Sequence, residues 1–203
     1  MTDPNLTVSD EELVRKTRAG SRRSFEILVD RYSPRLFHFL RPKISSDQDI
    51  EDIIQETFFK IYRNIFRYNS KWKVSTWIYT AAYRLSVSHF RSQKNRAVRH
   101  RIQEDELTPE EKYFKQIKRQ NIWKQAKHLK PDHYRVLWLR YAEDLSSKEI
   151  AKIMRRTDLA VRLLLYRARL NLAELLQKKK DFQKNEASSA LEWSTVRYEE
   201  NKG

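Results

Sequence analysis

Cysteine is absent from this 203-residue chain, which excludes disulfides and thiolate metal sites. Glycine is nearly absent as well: Gly20 and Gly203 are the only two. Tight hairpin turns draw heavily on glycine, so a strand-rich fold is disfavoured from the outset. A phosphate-cradling GxxxxGK[ST] loop cannot be written with the glycines available. No apolar run approaches the roughly 20 residues that a bilayer-spanning helix needs. Met1-Thr-Asp-Pro-Asn-Leu6 lacks the basic start and apolar stretch of a signal peptide, so a soluble protein of the reducing cytoplasm is expected. The five histidines, at 38, 89, 100, 128 and 133, have no metal-ligand spacing. No catalytic residue, metal site, cofactor or small-molecule substrate is expected.

What the chain has is positive charge and helical periodicity. Forty-two basic residues against twenty-seven acidic ones give a formal charge of +15, a field that draws polyanions. With 39% hydrophobic and 12% aromatic residues, it also has the material for packed cores. Ser9-Asp10-Glu11-Glu12 reads as a helix start. A helix over 21–41 follows from Phe25, Leu28, Val29, Tyr32, Leu36, Phe37 and Leu40, with a kink or break expected at Pro34. The cleanest pattern is Ile50, Ile53, Ile54, Thr57, Phe58, Ile61, Tyr62 and Ile65, capped by Ser46 or Asp47, with Glu51, Asp52, Gln55 and Glu56 on the opposite face.

A fourth helix is predicted over 75–96, and here aromatics and cations interleave. Lys71, Trp72, Lys73, Tyr79, Tyr83, Arg84 and Arg91 combine phosphate-neutralising charge with flat faces on which unpaired bases stack. Trp77 and Ala81 are expected to face inward. Residues 97–116 are charged and poor in large apolar side chains, the composition of a flexible linker. Beyond it, Pro131-Asp132 to Tyr141, Ser146 to Met154 and Asp158 to Gln177 outline a helix-turn-helix. From Lys178 the chain reads as a polar tail, with Leu191 and Trp193 as its conspicuous apolar side chains.

Two groups of residues together resemble one family. Asp52-Ile-Ile-Gln55-Glu56-Thr-Phe58, then Trp77-Ile-Tyr-Thr-Ala-Ala82 and a basic helix end at Arg91, resemble region 2 of extracytoplasmic-function sigma factors of the sigma-70 family. Leu129-Lys-Pro131, Leu139-Arg-Tyr141, Ser147-Lys-Glu-Ile-Ala151 and Tyr166-Arg-Ala-Arg169 resemble region 4. The resemblance covers about residues 22–176 and implies an all-α fold of two small helical domains. These would be a lead-in helix at 1–20, region 2 at 21–96, the linker at 97–116, region 4 at 117–177 and the tail at 178–203.

The resemblance further implies that Asp52, Gln55, Glu56 and Phe58 bind core RNA polymerase. It assigns Lys71, Trp72, Lys73, Tyr79, Tyr83, Arg84 and Arg91 to the −10 element of promoter DNA. Ser147, Lys148, Asp158, Arg162, Tyr166, Arg167 and Arg169 would meet the −35 element. An anti-sigma protein is implied as a further partner.

The sequence departs from the family pattern in places. Arg84 stands where an Asn is usual, Ser88 where an Asp is usual, and Arg155 where a glycine is usual. Leu163-Leu164-Leu165 replaces polar residues in the recognition helix. Those departures keep open a sigma-shaped module without promoter activity. A regulator using the helix-turn-helix alone would leave the Asp52–Phe58 stripe unexplained.

Overall fold

The computed structural model describes residues 8–94 and 120–199, with side chains at 8–91 and 122–178. The expected linker at 97–116 lies outside the described residues. Among those described there is no strand, and eight α-helices carry the fold.

Helix α1, Asp10–Arg18, begins where Ser9 accepts the Glu12 amide at 3.2 Å, with three acids in its first turn. It is an integral part of the first bundle rather than a lead-in. Leu13 and Val14 are buried, Asp10 holds Arg31 and the Tyr32 hydroxyl, and Arg18 donates to the carbonyls of Ile65 (3.0 Å) and Tyr68 (2.7 Å). Gly20, at φ +94°, turns the chain into α2, Arg22–Leu40, capped by Ser21.

Pro34 does not break α2. A proline inside a helix costs about 3 kcal/mol. Beyond it, Leu36, Phe39 and Leu40 are fully buried, each contributing about 1.5–3 kcal/mol, so packing outweighs the lost hydrogen bond. Helix α3, Asp47–Arg63, is capped by Ser46 through the Asp49 amide and buries Ile50, Ile53, Ile54, Thr57, Phe58 and Ile61. A 3-10 turn at Ile65–Arg67 leads to α4, Val74–Lys94, which packs along α3.

The second half comprises α5, Gln120–Ala126, α6, Pro131–Tyr141, α7, Ser147–Met154, and α8, Asp158–Glu199. Pro131 opens α6, where its missing N–H costs nothing. At α7, Ser146 and Glu149 cap each other's backbone amides reciprocally. The expected tail after Lys178 is not separate: α8 runs on to Glu199. Residues 178–199 contain neither glycine nor proline, so nothing in them stops a helix. The side chains of Leu191 and Trp193 lie outside the described set.

The two halves are joined by more than a tether: α4 lies against α7. Arg35 forms a two-pronged ion pair with Glu143, whose side chain is 1% exposed. Trp138 Nε1 donates to the Tyr79 hydroxyl (3.3 Å), Thr76 Oγ1 to Glu149 (3.1 Å) and Lys73 Nζ to the Asp144 carbonyl (3.0 Å). Arg135 is fully buried between the rings of Phe39 and Tyr83, its Nε directed at the Phe39 carbonyl at 3.4 Å.

Candidate functional site

Three surfaces bear the residues singled out from the sequence. The first is the outer face of α3. The 3.6-residue period that sends Ile50, Ile53, Ile54 and Ile61 inward leaves Asp52, Gln55 and Glu56 in solvent. Asp52 accepts a hydrogen bond from Gln48 (3.3 Å), and Glu56 pairs with Lys60 at 3.1 Å. Phe58 does not share this surface. It is 5% exposed and meets the edge of Phe25 in the core, so the structure removes it from the outer face.

Phe59 and Tyr62 occupy that face instead, at 54% and 51% exposure, and Phe66, in the 3-10 turn that follows, is 75% exposed. The Arg63 guanidinium lies 5.5 Å from the Phe59 ring. Sequence reading missed the first and last and placed Tyr62 inside. The spacing 52, 55, 59, 62 is itself the outward stripe, and Phe58 and Phe59, being adjacent, cannot share a helix face.

The second surface is the start and outer side of α4. Lys71, Arg84 and Arg91 are exposed and Tyr83 is half-buried. Trp72 is half-buried, with Lys152 Nζ of α7 3.7 Å from its ring centroid. Tyr79, expected to stack on a base, is fully buried instead. Its ring meets Phe39 (5.0 Å) and Tyr32 (6.5 Å), and its hydroxyl meets Trp138, so it belongs to the interior. Burial pushes its phenol well above the ordinary range. Trp77 and Ala81 are half-buried rather than enclosed, Trp77 lying 5.4 Å from Tyr68.

The reason is that α4 is covered on two sides. With α3 on one flank and α7 on the other, an inward position cannot be told from an outward one by period alone. Burial alone would raise Glu149 in this seam, yet hydrogen bonds from the Ser146 amide and hydroxyl and from Thr76 hold it below the ordinary carboxylate range.

The third surface is the exposed side of α7 and α8. The turn between them passes through Arg155, in the left-handed region at φ 54°, ψ 46°, and Thr157 accepts the Ala160 amide at 3.2 Å. That left-handed residue is the physical reason glycine is usual at this position. Val161, Leu165 and Ala168 point into the core. Lys148, Arg162, Tyr166, Arg167 and Arg169 face solvent, while Ser147 and Asp158 are half-buried, Asp158 pairing with Arg162 at 2.8 Å. The three leucines divide: Leu165 is core, Leu164 packs against the core, and Leu163 is 47% exposed. Leu159, one turn earlier, is 77% exposed.

Among the described residues no group of three or more His, Cys, Asp or Glu could hold a metal ion, and no helix is long and apolar enough to cross a membrane.

Comparison with known proteins finds two family models along the chain. The model of Sigma-70 region 2 matches residues 28–96, and that of Sigma-70 region 4 matches residues 119–172. The chain is 28% identical to the ECF RNA polymerase sigma factor BldN of Streptomyces coelicolor over 81% of its length and 65% of BldN's. It is 26% identical to the ECF RNA polymerase sigma-E factor of Haemophilus influenzae, over 84% of this chain and 96% of that one.

Two solved structures share the fold. One is CnrH in complex with the cytosolic domain of CnrY, with a TM-score of 0.56 and 18% identity, covering 83% of this chain and 97% of that one. The other is the sigma factor RpoE with the anti-sigma factor NepR from Bartonella quintana, with a TM-score of 0.60 and 20% identity, covering 76% and 98%. With both regions matched in order and an all-helical architecture to carry them, the chain belongs to the sigma-70 family, among its extracytoplasmic-function sigma factors.

Proposed function

We propose that this sigma factor divides its work among the three surfaces, with no chemistry of its own. The exposed α3 face around Asp52, Gln55 and Glu56 docks on core RNA polymerase. Lys71, Trp72, Lys73, Tyr83, Arg84 and Arg91 hold the opened −10 element, the cations on phosphate and the rings against bases. Helices α7 and α8 enter the −35 major groove with Ser147, Lys148, Asp158, Arg162, Tyr166, Arg167 and Arg169. The work is done in the cytoplasm. CnrH and RpoE are found with CnrY and the anti-sigma factor NepR, and we extend to this chain a protein partner of the anti-sigma kind.

One observation carries the reading. A protein of charge +15 keeps an acidic and aromatic stripe in solvent on one helix, away from two cationic surfaces. Such a stripe repels DNA and fits a protein partner. The experiment is charge reversal of Asp52→Lys with Glu56→Lys, both exposed and therefore neutral for folding. Affinity for core polymerase drops on the order of 100-fold while far-UV circular dichroism is unchanged. Unaltered affinity removes the α3 face from the docking role. In the same assay system, Trp72→Ala lowers permanganate reactivity of −10 thymines more than it lowers closed-complex formation. Equal losses make the ring structural.

A further inference from the structure

The stripe on α8 that the core does not use is apolar. Leu159 is 77% exposed and Leu163 47%, and Tyr166 (55%) and Leu170 (46%) continue the same face. Val161, Leu165 and Ala168 already supply the inward contacts of this helix, so the fold has no need of the outer leucines. The flanking side chains Lys148, Arg162, Arg167 and Arg169 are exposed and cationic. An apolar strip bordered by cations, in a protein of charge +15, fits a polyanion that itself presents apolar groups. In a DNA major groove those groups are the 5-methyls of thymine.

We propose that Leu159 and Leu163 read thymine methyl groups in the −35 element, which makes the preference of this factor there an apolar one. The inference rests on the reading of α8 as the −35 helix and supplies its specificity. Both leucines lie in the first turns of α8, the part of a recognition helix that meets base edges. Four residues at a rise of about 1.5 Å set them about 6 Å apart along the axis. Two base-pair steps span about 6.8 Å. The pair therefore reaches methyls on base pairs up to two steps apart. Arg162 lies between them in sequence, held by Asp158 at 2.8 Å in the free chain, and is available for a neighbouring phosphate or base.

The test uses holoenzyme reconstituted from the full chain. Promoters are first selected from a library randomised through the −35 element. Each selected thymine is then replaced by deoxyuridine, which removes the methyl and keeps the hydrogen-bonding edge. Enrichment of thymines is expected, and each critical replacement weakens binding about four-fold, the ratio that corresponds to one buried methyl. The Leu159→Ala, Leu163→Ala double variant, checked for folding by circular dichroism, binds thymine and deoxyuridine duplexes alike.

Selected elements poor in thymine, or equal binding of both duplexes by the unaltered factor while the −35 footprint persists, overturn the inference and leave the proposed function standing. Discrimination retained by the double variant overturns it too, since another side chain then does the reading. Loss of the −35 footprint altogether defeats the assignment of α8 and the inference with it. Leucines that instead seat a protein partner produce no sensitivity to deoxyuridine, the overturning result already named.

Discussion

The bundle of α1–α4 and the helix-turn-helix of α5–α8 solve the same packing problem and present opposite outsides. In each, aliphatic and aromatic side chains fill the interior, and one helix keeps a row of large apolar groups in water. On α3 that row is Phe59 and Tyr62, with Phe66 in the turn beyond, next to carboxylates; on α8 it is Leu159, Leu163 and Leu170 next to guanidinium groups. On the functions proposed above, the exposed apolar row marks a partner surface, and the neighbouring charge selects the kind of partner. Aromatics beside acids suit a protein surface, whereas leucines beside arginines suit a groove of DNA.

The comparison is broken most severely by alkali. Tyr32 and Tyr79 in the first half and Tyr134 in the second all have phenols pushed up from the ordinary value, chiefly by burial. The unfolded chain ionises its phenols near pH 10, so stability is intact below about pH 10 and falls above it by roughly 4 kcal/mol per pH unit for the three together. Phenolate absorbance followed alongside circular dichroism shows these tyrosines ionising only as the helices melt. One shared step means that the halves unfold as a unit, whereas a separate step for Tyr134 divides them.

Next in size is Arg35→Ala, which strands the Glu143 carboxylate in the seam and costs about 3–5 kcal/mol, read by urea denaturation. A loss below about 1 kcal/mol shows the ion pair to be dispensable and the halves only loosely joined. The smallest effect distinguishes the two bundles by backbone rather than by contact. Arg155→Gly relieves the left-handed residue between α7 and α8 and raises stability by about 1 kcal/mol in thermal melts, mainly in the second half.

Much of this was legible in the sequence. Ser9, and Ser46 or Asp47, marked helix starts that the structure keeps, with Ser46 as the cap of the second, because a cap acts on the three residues after it and needs no tertiary context. The outward carboxylates of α3 were legible because that helix packs on one side. Tyr79 was misjudged because burial of a ring depends on what covers it, whereas the period of α3 placed Phe58 inward and only the family resemblance set it on the docking face. For Tyr79 the cover includes Trp138, 59 positions away, which no local pattern reports. At Pro34, where a kink or a break was expected, the helix does not break, and the tail after Lys178 is helical to Glu199. Local composition argued for breaks, while packing in one case and an unbroken run of helix-compatible residues in the other kept the helix going.

The seam also carries a debt. Both terminal nitrogens of Arg135 are buried without a hydrogen-bond partner, a deficit of about 1–3 kcal/mol per group, and burial lowers its pKa. Parting the halves returns that guanidinium to water and uncovers Trp72 from Lys152. Closure is therefore weaker than its ion pair and ring contacts alone would make it.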